Sequence, residues 1–204
     1  MSIQLYWKSA PAGVRSRSTS RLGKPKRYTP VDVLSAEHNK FWEYVGSSEN
    51  ISYDVVEDTD LSHIPENSID YFFSFGCLCH ASNEVIEGYI VSLGKKMKSG
   101  SRGFLMIADY DKFNYCVLHP ELFSVQRALR TRRTALEWII ISVLYRLFPY
   151  SKLNQSEDQN PKPGRWFNYG RERACNFLQS KGFEIVEKDM EVNNRDPLIH
   201  FCKK

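Results

Sequence analysis

Three carboxylates stand within or just past short apolar runs. Asp32 lies in Val31-Asp-Val-Leu34, Asp58 follows Ile51-Ser-Tyr-Asp-Val-Val56, and Asp109 follows Phe104-Leu-Met-Ile-Ala108. An ionised carboxylate accepts two hydrogen bonds at once, which suits a hydroxylated ligand; for Asp32 and Asp58 the plainer role is a turn or helix cap. The acids of Asp109-Tyr-Asp111 could accept hydrogen bonds from acceptor hydroxyls or ligate a metal, against a simple solvated loop. His80 follows the apolar run Ile69–Phe75 and is either a base or a cap for the helix that begins near Ser82-Asn83. Cys77 and Cys79 flank Leu78 and would share one face of a strand. A metal site needs a further pair at ligand spacing, and the sequence has none. Trp166, Phe167 and Tyr169 could wall an acceptor pocket or only pack.

The elements that must position these residues alternate in type. Val31–Leu34, Ile51–Val56, Ile69–Phe75, Phe104–Ala108, Phe183–Glu187 and Leu198–Phe201 read as strands, and Ile69–Phe75 is apolar enough to be buried on both faces. Helices are predicted from Ser35 to Gly46 with Ser35 as N-cap, from Asn83 to Met97 (Val85, Ile86, Tyr89, Ile90 and Leu93 at helical spacing), and from Arg171 to Ser180 with Gly182 as its stop. The segment 119–165 reads as a helical insertion over Pro120–Phe148 followed by a polar loop. Alternating strands and helices imply an α/β fold with a mostly parallel sheet. The last two strands are too close in sequence for a helical crossover and should form an antiparallel pair.

The chain has 204 residues, enough for one domain, with ordinary hydrophobic (42%) and charged (25%) content. Five scattered cysteines argue for a reducing compartment, and the cytoplasm is the expectation. The net charge of +4 is uneven: residues 1–30 hold seven basic side chains and no acid, and the rest carries 21 basic against 24 acidic. Residues 1–28 read as a basic leader of loop or disorder, with an organelle transit peptide and an arm for anionic partners as the other readings. Nucleic acid is not favoured, because aromatics do not interleave with the charges. The most apolar run, Trp138–Phe148, is too short to span a bilayer, carries Arg146, and fits a buried or partner-facing helix.

Several segments carry a resemblance to the class I S-adenosylmethionine-dependent methyltransferase family. Pro65-Glu-Asn-Ser-Ile-Asp-Tyr-Phe-Phe-Ser-Phe75 is similar to the entry into that family's fourth strand. Lys95-Lys-Met-Lys-Ser-Gly-Ser-Arg-Gly-Phe-Leu-Met-Ile107 looks like its turn into the fifth, where Leu-Lys-Pro-Gly-Gly is usual. Phe177–Val186 resembles the last helix and sixth strand, and Asp196–Lys203 the seventh, so the resemblance covers residues 29–204. It implies a Rossmann-like fold, S-adenosyl-L-methionine as cofactor and methyl transfer to a small hydroxylated acceptor, with O-methylation as the default and a sugar-like compound as one such acceptor. Carried over, Asp32 would take the ribose hydroxyls, Asp58 and Thr59 the adenine edge, and Ser74, Phe75 and Gly76 the methionine moiety. His80 would lie near the transferred methyl as base. In open α/β sheets such positions converge at the carboxyl ends of strands.

The family's Gly-x-Gly loop, whose glycines let backbone N–H groups approach the cofactor, has no counterpart upstream of Asp32. The first strand and helix are therefore expected to be missing. The expected causes are a truncated product, a catalytically inactive methyltransferase-like module bound to a protein partner through 138–148, or an unusual cofactor loop in the leader. A sheet without its central strand would expose backbone donors and apolar surface, predicting poor solubility or rescue by a partner.

Overall fold

The structure is a computed structural model and describes residues 2–3, 27–118, 140, 143–144, 146–147, 167–193 and 195–204. In chain order the elements are β1 (Ser2–Ile3), β2 (Val31–Asp32), α1 (Phe41–Val45), β3 (Asp54–Val55), β4 (Ile69–Ser74), a 3-10 turn (Leu78–His80), α2 (Asn83–Lys96), β5 (Met97–Met106), α3 (Tyr110–Leu118), α4 (Arg171–Ser180), β6 (Phe183–Glu187) and β7 (Leu198–Lys203). The strands form two sheets, ordered β1-β2-β3 and β4-β5-β7-β6. The β2–β3 and β4–β5 pairs are parallel, and β7 runs antiparallel to both β5 and β6. The expected parallel sheet with an antiparallel C-terminal pair is present.

One core joins the two sheets. Val31 and Val56 share it with Phe72, Leu105, Ile199 and Phe201, with Ile86, Tyr89, Ile90 and Leu93 of α2, and with Ala174 and Leu178 of α4. Full burial of each large apolar side chain contributes about 1.5–3 kcal/mol. The helical spacing of α2 thus does what its sequence implies. Its last turn carries Lys95 and Lys96, favourable against the negative end of the helix dipole. Gly182, at φ +85°, ends α4 in the left-handed conformation that glycine adopts without penalty.

Several expectations change. Because α2 and α4 share the core with Phe72, β4 is covered on that face, while Tyr71 and Phe75 remain exposed. The opposite face is an aromatic layer in which Phe73 stacks on Phe75 and His200 stacks on Phe104. The predicted helix start at Ser35 is a pair of turns instead. Ser35 Oγ accepts the His38 N–H at 3.2 Å, but Lys40 takes a left-handed φ of +51°, so α1 begins only at Phe41. The strand predicted over Ile51–Val56 shrinks to Asp54–Val55, plus an isolated Tyr28–Ile51 bridge. β5 starts at Met97 and runs through the expected turn at 98–100, where Gly100 has a φ of +79°. Cys77 and Cys79 do not share a strand face, since Cys77 precedes the 3-10 turn that contains Cys79. Within the leader, Ser2–Ile3 forms a strand antiparallel to β2. Among the described residues no parallel strand lies beside β2 other than β3. Most of the segment 119–165 lies outside the described residues, as does most of the leader.

Candidate active site

At the end of β2 the Asp32 carboxylate is only 1% exposed. Its Oδ1 accepts the Leu34 N–H at 2.9 Å, closing the turn that leaves the strand, and its Oδ2 accepts Asn39 Nδ2 at 2.6 Å. The same Nδ2 donates to Tyr53 Oη at 2.8 Å, and Tyr53 donates to the Leu34 carbonyl at 2.8 Å. Burial, opposed by the Asn39 bond and reinforced by the Asp32 charge, pushes the Tyr53 phenol up to about 12. Neither Asn39 nor Tyr53 stands out in the sequence. The signal that would find them is the approach of two polar side chains to Asp32, which requires the fold.

After β3 the loop is a run of side-chain-closed turns. Asp58 Oδ1 accepts the Asp60 N–H at 3.0 Å, and Asp60 Oδ1 accepts that of Ser62 at 2.7 Å. The Ser62 N–H, followed by Asp58, holds the Asp60 carboxyl below its usual range. Tyr89 of α2 donates to the Asp58 carbonyl at 3.2 Å, and Thr59 packs on Gly88, where a side chain would clash. Asp58 itself is exposed.

At the end of β4, Ser74 is fully buried, and its hydroxyl has no hydrogen-bond partner. A buried orphan hydroxyl costs roughly 1–3 kcal/mol, so it marks a place where a ligand group would be favoured. Phe75 is 46% exposed, and Gly76 turns the chain at φ +70° with open space beside it. The Gly76 N–H points to Met106 Sδ at 3.2 Å. His80 closes the following 3-10 turn with its N–H on the Cys77 carbonyl at 3.0 Å, and it is half-buried. The N-cap of α2 is Ser82, so His80 stands outside that helix's cap.

The end of β5 is not a solvated loop. Asp109 is buried, and its Oδ1 accepts the N–H groups of Asp111 and Lys112 at the start of α3, at 2.9 and 3.0 Å. Its Oδ2 accepts the Arg171 N–H at the start of α4 at 3.0 Å, so one carboxylate caps two helices. Asn168 Oδ1 accepts the Tyr110 N–H, and the 168–170 segment bonds along Ala108. Tyr169 is buried, donates to Glu87 at 3.2 Å, and lies under the Arg173 guanidinium at 5.0 Å, so it packs. Phe167 is half-buried, and Trp166 lies outside the described residues. Asp196, which the sequence does not mark, is fully buried just before β7 and takes Arg195 Nε at 2.7 Å. Burial, then the Asp196 charge, raises the neighbouring Cys79 thiol to about 11. Among the described residues no cluster of three metal-ligating side chains occurs, and no helix is long and apolar enough to cross a membrane.

Asp32, Asp58–Thr59, Ser74–Gly76 and Asp109 therefore all stand at the carboxyl ends of parallel strands, with His80 just beyond β4. The Ser74–Gly76 corner fits a ligand by its orphan hydroxyl and open glycine. Asp32 does not present its oxygens, because both are engaged and buried.

No protein-family model and no curated protein matches this sequence. Solved structures match at the level of the fold. The PH0226 protein from Pyrococcus horikoshii aligns with a TM-score of 0.54 at 14% identity, over 87% of this chain and 72% of that one. A SAM-dependent methyltransferase from Methanosarcina mazei aligns with a TM-score of 0.51 at 13% identity, over 86% and 81%. PKMT2 from Rickettsia typhi, solved in complex with AdoHcy, aligns with a TM-score of 0.52 at 12% identity, over 87% of this chain but only 44% of its own. The chain thus spans less than half the length of that protein. The fold is the Rossmann-like class I methyltransferase fold.

Proposed function

We propose that this chain binds S-adenosylmethionine and transfers its methyl group to a small hydroxylated acceptor. The observation that carries the reading is the corner at Ser74–Gly76, a buried orphan hydroxyl beside an open positive-φ glycine at the carboxyl end of a parallel strand. The likeness to methyltransferases in fold supports it. Ser74, Phe75 and Gly76 would hold the methionine portion, and Asp58 with Thr59 the adenine edge. The bound cofactor supplies an electrophilic methyl. With that group bound, His80 would take the proton of the acceptor hydroxyl as the oxygen gains the methyl and the methyl–sulfur bond breaks, giving a methyl ether, S-adenosylhomocysteine and an imidazolium. Calorimetry with S-adenosylmethionine and S-adenosylhomocysteine tests the first half. Micromolar binding supports the reading, and a folded chain that binds neither at millimolar concentration overturns it. Labelled-methyl transfer to hydroxylated acceptors tests the second, with His80→Gln expected to lower turnover about 100-fold while leaving cofactor affinity unchanged.

A second reading has its own observation. Ile140, Val143, Leu144 and Leu147, the described apolar residues of the 138–148 run, are helical, exposed, and spaced to form one stripe. That favours a binding module docked on a protein partner. A stable hetero-complex that ignores the cofactor and is lost in Leu144→Glu would select it.

A further inference from the structure

We propose that this chain forms a two-fold dimer in which the apolar stripe at 140–147 of one copy docks on the aromatic face of the β4-β5-β7-β6 sheet of the other. The inference takes up the exposed stripe of the second reading above, names its partner as a second copy, and does not depend on methyl transfer.

The strand register defines the face. Tyr71 lies beside Arg102, Arg102 beside Cys202, and Cys202 beside Glu184. The neighbouring row runs Phe73, Phe104, His200, Glu187. Residues in register point to the same side of a sheet, and the alternate positions Phe72, Leu105 and Phe201 fill the core on the other side. The face thus turns from aromatic on β4 and β5 to acidic on β6, with Arg102 as its only base in these rows. Tyr71 and Val186 are exposed at its two sides, and so are Glu184 and Glu187. A sheet of this architecture buries both faces under helices, and α2 and α4 lie on the Phe72 side.

The same chain holds an unpaired helical stripe of the matching kind. Ile140, Val143, Leu144 and Leu147 are helical yet between 50% and 63% exposed. Arg146, also exposed, flanks them, and residues 127–147 carry five arginines against one acid. That sign complements Glu184 and Glu187, and opposite charges at a rim set the register of docking. Both surfaces are open within one copy, so a two-fold axis lets a second copy cover both and makes each contact twice. The doubling matters, because the helical residues 140–147 span only about 12 Å. A single contact of that length falls short of the roughly 1,200–2,000 Å² that a stable dimer buries.

Sedimentation equilibrium on the full chain tests this, with Leu144→Glu and Tyr71→Glu, each checked for its thermal midpoint. The unmodified chain should dimerise in the micromolar range. A charge in place of an apolar anchor costs at least about tenfold per contact, and the dimer holds two, so each variant should weaken it about 100-fold. A mixture of the two variants should dimerise more tightly than either alone, because it keeps one contact undamaged on both sides. If Tyr71→Glu does not fold, Glu184→Lys combined with Glu187→Lys takes its place and should weaken the dimer about tenfold. An undiminished dimer there overturns the proposal. A dimer lost in Leu144→Glu but kept in Tyr71→Glu means that stripe pairs with stripe, and also overturns it. So does a chain that stays monomeric. A monomer that forms a hetero-complex lost in Leu144→Glu leaves the second reading standing without this inference, and a monomer that forms none removes both.

Discussion

Asp32 and Asp109 show how one residue type at the same place on a strand can serve different ends. Both are buried, and both satisfy backbone N–H groups. Replacing either with alanine takes the partner from those part-buried donors. Asp109→Ala should cost roughly 2–3 kcal/mol, because it uncaps α3 and α4 together, and Asp109→Asn about half of that. Urea denaturation measures both, and a loss of less than about 0.5 kcal/mol for Asp109→Ala would refute the double cap. Asp32→Ala should also lower stability by roughly 2 kcal/mol, so a loss of cofactor binding in that variant has to be read against its denaturation midpoint. From the sequence alone, Asp109 reads as a ligand or as part of a solvated loop. Its capping role is not legible there, because Arg171 lies far along the chain and only the fold brings its N–H to the carboxylate.

At the scale of elements, the pairing of β5 with β7 depends on a close approach. Gly103 lies opposite Phe201, and a β-carbon there would run into the aromatic ring, which is itself packed edge-on against Phe183 at 5.0 Å. Gly103→Ala should therefore destabilise by about 1–3 kcal/mol through overpacking, visible as a lower thermal midpoint with the secondary structure kept. An unchanged midpoint would mean the ring can move aside. In the sequence this glycine carries no mark of its own within the Lys95–Ile107 segment, because its reason sits on another strand. Helix α2 is the contrary case. Its apolar spacing marks the buried face in the sequence itself, since a period near 3.6 needs no tertiary information. Helix α3 is less legible, because its first N–H is held by Asn168, which lies far along the chain.

For the whole molecule, burial of phenols sets the alkaline limit. Tyr53 and Tyr89 are each raised to about 12, burial being the first cause in both. The folded chain then keeps protons that the unfolded chain releases above about pH 10, so stability is complete below that pH and falls as pH rises towards about 12. Tyr89, buried between α2 and the Asp58 loop, should contribute visibly. Tyr89→Phe should flatten the fall in urea stability between about pH 10 and 12, and an identical slope in both proteins would show that this phenol does not limit the fold.

The sequence by itself determined the fold class, the identity of most strands and helices, and the strand ends where a site must gather. Those features are encoded locally, by apolar period, by glycine stops and by the short link before the last strand. Only the tertiary structure decided which groups at those ends are open and which are spent. It buried Asp32 behind Asn39 and Tyr53, turned Asp109 into a double cap, and left the Ser74 hydroxyl without a partner. The physical reason is that a polar side chain's role depends on which donors and acceptors surround it, and these come from residues distant in sequence.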